Sequence, residues 1–176
     1  VREYGLKMSR EITRMGKKAM KEIHSRRYKL AEKYIKESLK KLKILKRKLE
    51  KYPEIYYAGF LHSSEKEVIE SLISLNLITK KAIPEPEKYN FDPVSFLHGL
   101  SESTGELRRY ILDSLRRGET EGIEDYLQIM DSIYNFLITF NYPDTITRSL
   151  RRQVDYVRSV VEKTRSDITY ASLKRN

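Results

Sequence analysis

Between Arg26 and Tyr52 the residues Tyr28, Ala31, Ile35, Ser38, Leu42, Leu45, Leu49 and Tyr52 recur at alternating steps of three and four without a break. A β-strand cannot bury that pattern, because its side chains change face at every residue. An α-helix gathers it into one narrow stripe, the kind that packs against another helix. Most of the positions between are lysine, so the stripe is the only face free to pack. A chain built around this segment needs further helices with stripes of their own.

The rest of the chain supplies them. From Arg2 to His24, Met8, Ile12, Met15, Ala19 and Ile23 repeat the helical spacing, and Lys7, Arg10, Arg14, Lys17 and Lys21 repeat it on the opposite side. Pro53 ends the second helix or opens a third, which runs through "EIYYAGFLHSSEKEVIESLISLNLI" with Leu61, Val68, Ile69, Leu72, Ile73 and Leu75 as its buried arc. The stretch "TKKAIPEPEKYNFD" is a loop by its prolines and charges. Asp92-Pro93 pairs a good N-cap with a proline at the first helical position, starting a helix that buries Phe96, Leu97, Leu100, Leu107, Ile111 and Leu115 and stops at Gly118. A further helix carries Tyr126, Leu127, Met130, Ile133, Tyr134, Leu137 and Phe140 up to Pro143; the last carries Leu150, Val154, Val157 and Val161, with "ASLKRN" expected to fray. The expectation is an all-α, single-domain bundle of about six to seven helices over residues 1–176. Residues 1–52 form its basic helices, and residues 53–166 its carboxylate-bearing and C-terminal helices.

Charge divides the chain unevenly. Residues 1–52 hold 19 Lys/Arg against 6 Asp/Glu, a net +13, which leaves 16 against 19, a net −3, for the remainder. A basic segment joined to a mildly acidic one points to a polyanionic partner, with nucleic acid first and an acidic membrane surface second. The plainer alternative is that the lysines only solvate long helices. With no cysteine there is no disulfide or thiolate chemistry, and no apolar run is long enough to span a bilayer. A soluble, cytoplasmic protein is expected.

No phosphate-binding glycine loop, no HExxH and no local Ser-His-acid pattern is present, and His24, His62 and His98 are scattered. The carboxylates are more informative. Glu67 and Glu70 stand three apart, Glu102 and Glu106 four apart, and like charges so placed oppose each other on a helix. At about 100° per residue, Glu67, Glu70 and Ser74 share about 60° of arc, as do Glu102, Glu106, Arg109 and Asp113. Two readings stay open. Ser64-x-x-Glu67 can be a capping box and Arg109 can neutralise Glu106. Alternatively the pairs hold a hard cation such as Mg²⁺, which takes carboxylate oxygens and in nucleases stabilises the reacting phosphate.

The segments "KMSREITRMGKKAMKEIH", "KYPEIYYAGF", "FLHGLSESTGELRRYILDSLRRGE" and "SLRRQVDYVRSVVEKTRSDI" resemble the translin family in the same order, in particular its branch of translin-associated factor X. The resemblance covers almost the whole chain, and Ser-Arg-Glu-Ile-Thr and Thr-Gly-Glu-Leu-x-Arg are its most specific pieces. It implies a translin-like α-superhelical fold assembling into a closed oligomeric shell, as a homo-oligomer or together with a translin subunit. It also implies binding of RNA, with single-stranded DNA as a further ligand. For the factor-X branch it implies Mg²⁺-dependent endoribonuclease activity (Mn²⁺ being the other metal to consider), whereas a translin-like shell would bind without cleaving. The acids of the nuclease-type subunit fall on Glu67, Glu70, Glu102 and Glu106, as catalytic residues and metal ligands. Glu102 stands where the family usually has Asp. Arg10, Arg14, Lys17, Lys21, Arg108 and Arg109 are the candidate nucleic-acid contacts.

Overall fold

A computed structural model describes residues 1–173, and among them the secondary structure is wholly helical. The helices are α1 (Arg2–His24), α2 (Tyr28–Leu49), α3 (Pro53–Tyr56), α4 (Gly59–Ile78), α5 (Pro93–Arg116), α6 (Ile123–Leu137), α7 (Asp144–Thr147) and α8 (Leu150–Leu173), with a 3-10 turn at Pro86–Tyr89. The chain forms two compact units, residues 1–99 and the residues from Leu100 onward, which divide inside α5.

In the first unit α1 packs against both α2 and α4, and α2 also packs against α4. The α2 stripe from Ala31 to Leu49 is buried as its spacing requires, while Tyr28 is half-buried and Tyr52 exposed. On α1 the buried face is wider than its apolar residues foretell. Gly5, Ser9, Gly16 and Glu22 join Ile12, Met15, Ala19 and Ile23, and Met8 is only half-buried. Glu11 and Lys41 bridge the two helices at 3.1 Å, and the Lys48 ammonium lies 3.7 Å from the centre of the Tyr4 ring.

The turn between α1 and α2 is tight. The Arg26 N–H donates to Ile23 O and the Arg27 N–H to Glu22 O, both at 2.9 Å, closing α1 as glycine-type C-caps do. The Arg27 guanidinium then pairs with the Glu22 carboxylate and holds it below the usual carboxylate range.

The third helix departs from expectation. It is interrupted at Tyr57 and Ala58, the latter extended at φ −67° and ψ 144°, so α4 starts afresh at Gly59. Ser64 therefore sits beyond the first turn and is no N-cap; its hydroxyl donates to Leu61 O at 2.9 Å. The capping-box reading of Ser64 and Glu67 does not hold. Helix α4 is buried on most of its circumference, including Ser64, Glu65, Ser71 and Ser74. Ser74, expected on a polar stripe beside Glu67, is fully buried. Serine is small enough to let flanking helices close over positions that a hydropathy pattern scores as solvent-facing.

The Asp92 cap is as expected, since its Oδ1 accepts the Ser95 N–H at 2.8 Å. The second unit has a core of Leu107, Ile111, Met130, Leu137, Leu150, Val157 and Val161, with α6 and α7 packed on α8. Helix α5 ends with the Glu119 N–H on Ser114 O and the Gly118 N–H on Leu115 O, both at 3.0 Å, with Gly118 at φ +77°. Helix α6 stops at Leu137, well before Pro143, and Phe140 lies beyond its end with its ring edge-on to Phe136 at 5.0 Å. Helix α8 continues through Leu173, so Ala171–Leu173 are helical where fraying was expected; residues 174–176 of that segment lie outside the described residues. Among the described residues no helix is long and apolar enough to cross a membrane.

Candidate nucleic-acid interface and carboxylate pairs

Four of the six candidate contacts share one surface. Arg10, Arg14, Lys17 and Lys21 line a groove of about 640 Å³ between α1 and the first turns of α4, with Phe60 and Ser63 on its far wall. Arg10 and Arg14 also line an adjoining hollow of about 580 Å³. The four side chains stand out because Ile12, Met15, Ala19 and Ile23 commit the other face of α1 to the core. Among the described residues no ion pair engages Arg10, Arg14 or Lys17, so their charge is presented to solvent. Such a row of cations attracts phosphates whatever the sequence attached to them.

Arg108 and Arg109 stand differently. The Arg108 guanidinium pairs with Asp167 of α8 at 2.7 Å and donates to Thr164 Oγ1 at 3.2 Å, which fixes it within the second unit. Arg109 is exposed, and among the described residues it makes no ion pair with Glu106.

Glu67 and Glu70 are half-buried on α4, and two close approaches frame them. At Gly16 a Cβ would lie 3.2 Å from Glu67 O, so glycine lets α1 pass close to the backbone that carries Glu67. At Gly99 a Cβ would lie 2.5 Å from Ile69 Cγ2 and 3.2 Å from Glu70 N, so the first turns of α5 press on α4 at the second acid. Glu67 is one helical turn beyond Ser63, which lines the basic groove, so acid and groove lie along one face of α4. Glu102 and Glu106 are likewise half-buried, on the part of α5 that belongs to the second unit. Among the described residues no group of three or more His, Cys, Asp or Glu side chains could hold a metal ion unaided. Each pair alone still offers what Mg²⁺ commonly takes from a protein, one or two carboxylates, the remaining oxygens coming from water and substrate phosphate. The donor chemistry fits Mg²⁺ in that shared mode and not as a preformed cage.

Two polar groups escaped the sequence reading. Glu65, only 2 % exposed, accepts from Lys46 Nζ at 2.8 Å and from the Asp92 N–H at 3.2 Å. Lys46 is 19 positions away on another helix, so local spacing carries no sign of the pair. His62 and His98, scattered in sequence, meet edge to face at 5.3 Å. The Ser95 hydroxyl gives its one proton to Asp92 Oδ1 at 3.1 Å, leaving its oxygen to accept from His62 Nδ1 at 2.7 Å. This Asp-Ser-His arrangement is a helix cap and not a nucleophile, because Ser95 is fully buried.

Known proteins share this fold. The model of the translin family matches residues 1–171. The uncharacterized protein MJ0175 of Methanocaldococcus jannaschii is 33 % identical over 175 residues, covering 96 % of this chain and 75 % of that protein. The crystal structure of AfC3PO superposes with a TM-score of 0.90 at 31 % identity, over 99 % of this chain and 90 % of that one. A structure of AfC3PO in complex with duplex RNA gives the same values, and apo-NeC3PO gives a TM-score of 0.86 at 25 % identity over 97 % and 89 %. On the family match and the identity to its relatives, the chain belongs to the translin family.

Proposed function

We propose that this protein binds RNA along the basic groove of α1 as one subunit of an oligomeric shell, and cleaves the bound strand with Mg²⁺ taken by the carboxylate pairs Glu67/Glu70 and Glu102/Glu106, each pair sharing its ion with water and substrate phosphate. The observation that carries the reading is the groove itself: four cations on one helix, three of them without an internal ion pair among the described residues, with Glu67 on the adjoining face of α4. The RNA complex of AfC3PO, similar over nearly the whole chain, supports RNA as the polyanion. Arg10, Arg14, Lys17 and Lys21 hold phosphates by charge and so position a strand without reading its bases. Single-stranded DNA offers the same phosphates and competes for the groove. When bound, Mg²⁺ supplies positive charge at the phosphodiester and makes nearby water more acidic. Mn²⁺ accepts the same oxygen donors.

The test is cleavage of single-stranded RNA with Mg²⁺ or Mn²⁺ by the unsubstituted protein and by Glu106→Gln, with RNA binding and melting temperature followed in parallel. The substitution keeps the side chain's shape and relieves repulsion with Glu102. It should lower cleavage at least about 100-fold, as loss of a group acting on the reacting phosphate does, and leave RNA affinity unchanged. Undiminished cleavage would remove the acids from the mechanism. RNA retention without cleavage by the unsubstituted protein would leave a binding shell, with Glu102 in place of Asp the first residue to revert.

A further inference from the structure

A second hollow, of about 650 Å³, lies between α2 and the 3-10 turn at Pro86–Tyr89 and shares no lining residue with the α1 groove. Its volume is that of a small-molecule site. Lys40, Lys43 and Arg47 follow one another at helical spacing along its α2 wall, Lys88 faces them from the turn, and Glu50 is its one acid. Among the described residues no ion pair engages Lys40, Lys43 or Arg47.

The floor of the hollow is fixed. Lys46 donates to Glu65 at 2.8 Å and to Asn90 O, so two of the three donors of its ammonium are held by the protein. Glu65 is 2 % exposed and Lys46 11 %, so this buried group ties the turn carrying Lys88, Tyr89 and Asn90 to α2. Lys46 is therefore structural, and the exposed cations above it are the ones a ligand would meet. Beside them the Tyr89 ring lines the hollow, 40 % exposed, backed by Phe91 stacked at 5.1 Å and 12°. A flat aromatic surface next to clustered cations matches one ligand chemistry: a planar base joined to a phosphate.

We propose that this hollow binds a nucleotide, its base against Tyr89 and its 5′-phosphate on Lys40, Lys43 and Arg47. The nucleotide is either free or the 5′-terminal residue of a strand. The inference is independent of the reading of the α1 groove, because the two surfaces use different residues.

Calorimetric titration of the full chain with AMP tests it. Saturable binding at one site per chain is expected, weakened at least tenfold in the double variant Lys43→Ala/Arg47→Ala and in the charge reversal Lys40→Glu. Tyr89→Ala should weaken AMP at least fivefold while leaving inorganic phosphate unaffected. Circular dichroism confirms that each variant folds, as substitution of exposed side chains should allow. Arg10→Ala/Arg14→Ala should leave AMP binding unchanged, which separates this site from the RNA groove. A 5′-phosphorylated RNA tetranucleotide that displaces AMP where its 5′-hydroxyl form does not identifies a strand end; AMP binding that neither displaces identifies the free nucleotide. No saturable binding of AMP or of the phosphorylated tetranucleotide overturns the proposal. So does unchanged affinity in both the Lys43→Ala/Arg47→Ala and Lys40→Glu variants.

Discussion

At the scale of single residues, the acids of this chain divide by what surrounds them. Glu67, Glu70, Glu102 and Glu106 are half-buried, and removing the charge of one relieves repulsion within its pair. Glu65 is fully buried, paired with Lys46, and accepts a backbone N–H from the residue that caps α5. Truncating one partner of a buried ion pair strands the other charge in a low dielectric. Glu65→Ala should therefore destabilise the protein by about 3–5 kcal/mol, read as a lower denaturation midpoint in urea at unchanged slope. Glu106→Gln, which keeps the side chain's shape at a half-buried position, should move that midpoint far less than Glu65→Ala does. A Glu65→Ala variant as stable as the unsubstituted chain would mean that Lys46 reaches water once its partner is gone.

At the scale of helices, Gly99 sets how closely α5 approaches α4. Alanine would favour the helix by about 1 kcal/mol, but forcing a methyl group into a packed contact typically costs about 1–3 kcal/mol. The contact falls 2.8 Å from Ile69 Cβ, an atom tethered to backbone and fully buried, so overpacking wins and Gly99→Ala lowers the melting temperature. A second prediction concerns the α1–α2 turn. Arg27 depresses the pKa of Glu22 below 4.5, so the stability this pair contributes is complete above that pH and is lost as pH falls through the depressed value. Arg27→Gln should melt earlier than the unsubstituted protein at pH 7, and the gap should close as the pH is taken from 4.5 towards 2. A gap that stays constant over that range would assign the loss to packing.

These helices also show what the sequence could and could not disclose. The stripes of α1 and α2 were readable because one face packs and the other carries lysine. The burial of α4 was not, because Ser64, Ser71 and Ser74 count as polar yet fit between helices. The break at Tyr57 and Ala58 had no proline to announce it. The basic stripe of α1 followed from spacing alone, whereas the wall that Phe60 and Ser63 of α4 add to it did not. The pairing of Lys46 with Glu65 depends on tertiary contact between α2 and α4, which no local pattern encodes. The carboxylate pairs were visible as an oddity of charge, and only the family resemblance gave them a role.

At the scale of the molecule, the division of charge governs binding more than any single contact. Residues 1–52 carry +13 and the remainder −3, so a polyanion meets a field concentrated on one end of the sequence, where the α1 groove lies. Binding of this kind is driven by counterions released from the phosphates, and on a single strand each neutralised phosphate contributes about −0.7 to the log–log salt slope. About six contacts would give a slope near −4 for single-stranded RNA. Replacing Arg10, Arg14 and Lys17 with alanine removes three of them, so affinity should fall and the slope should flatten towards about −2. Their exposed positions on α1 leave its buried face untouched, so melting temperature should stay within about 0.5 kcal/mol of equivalent stability and the loss can be assigned to binding. The same substitutions should weaken single-stranded DNA to a similar degree, because phosphate contacts carry no base information. Filter binding of one oligonucleotide between 50 and 300 mM salt measures affinity and slope together. An unchanged slope in the triple variant would place the phosphate-binding surface elsewhere on the chain, and a loss of affinity at unchanged slope would mean that these residues act by shape and not by charge.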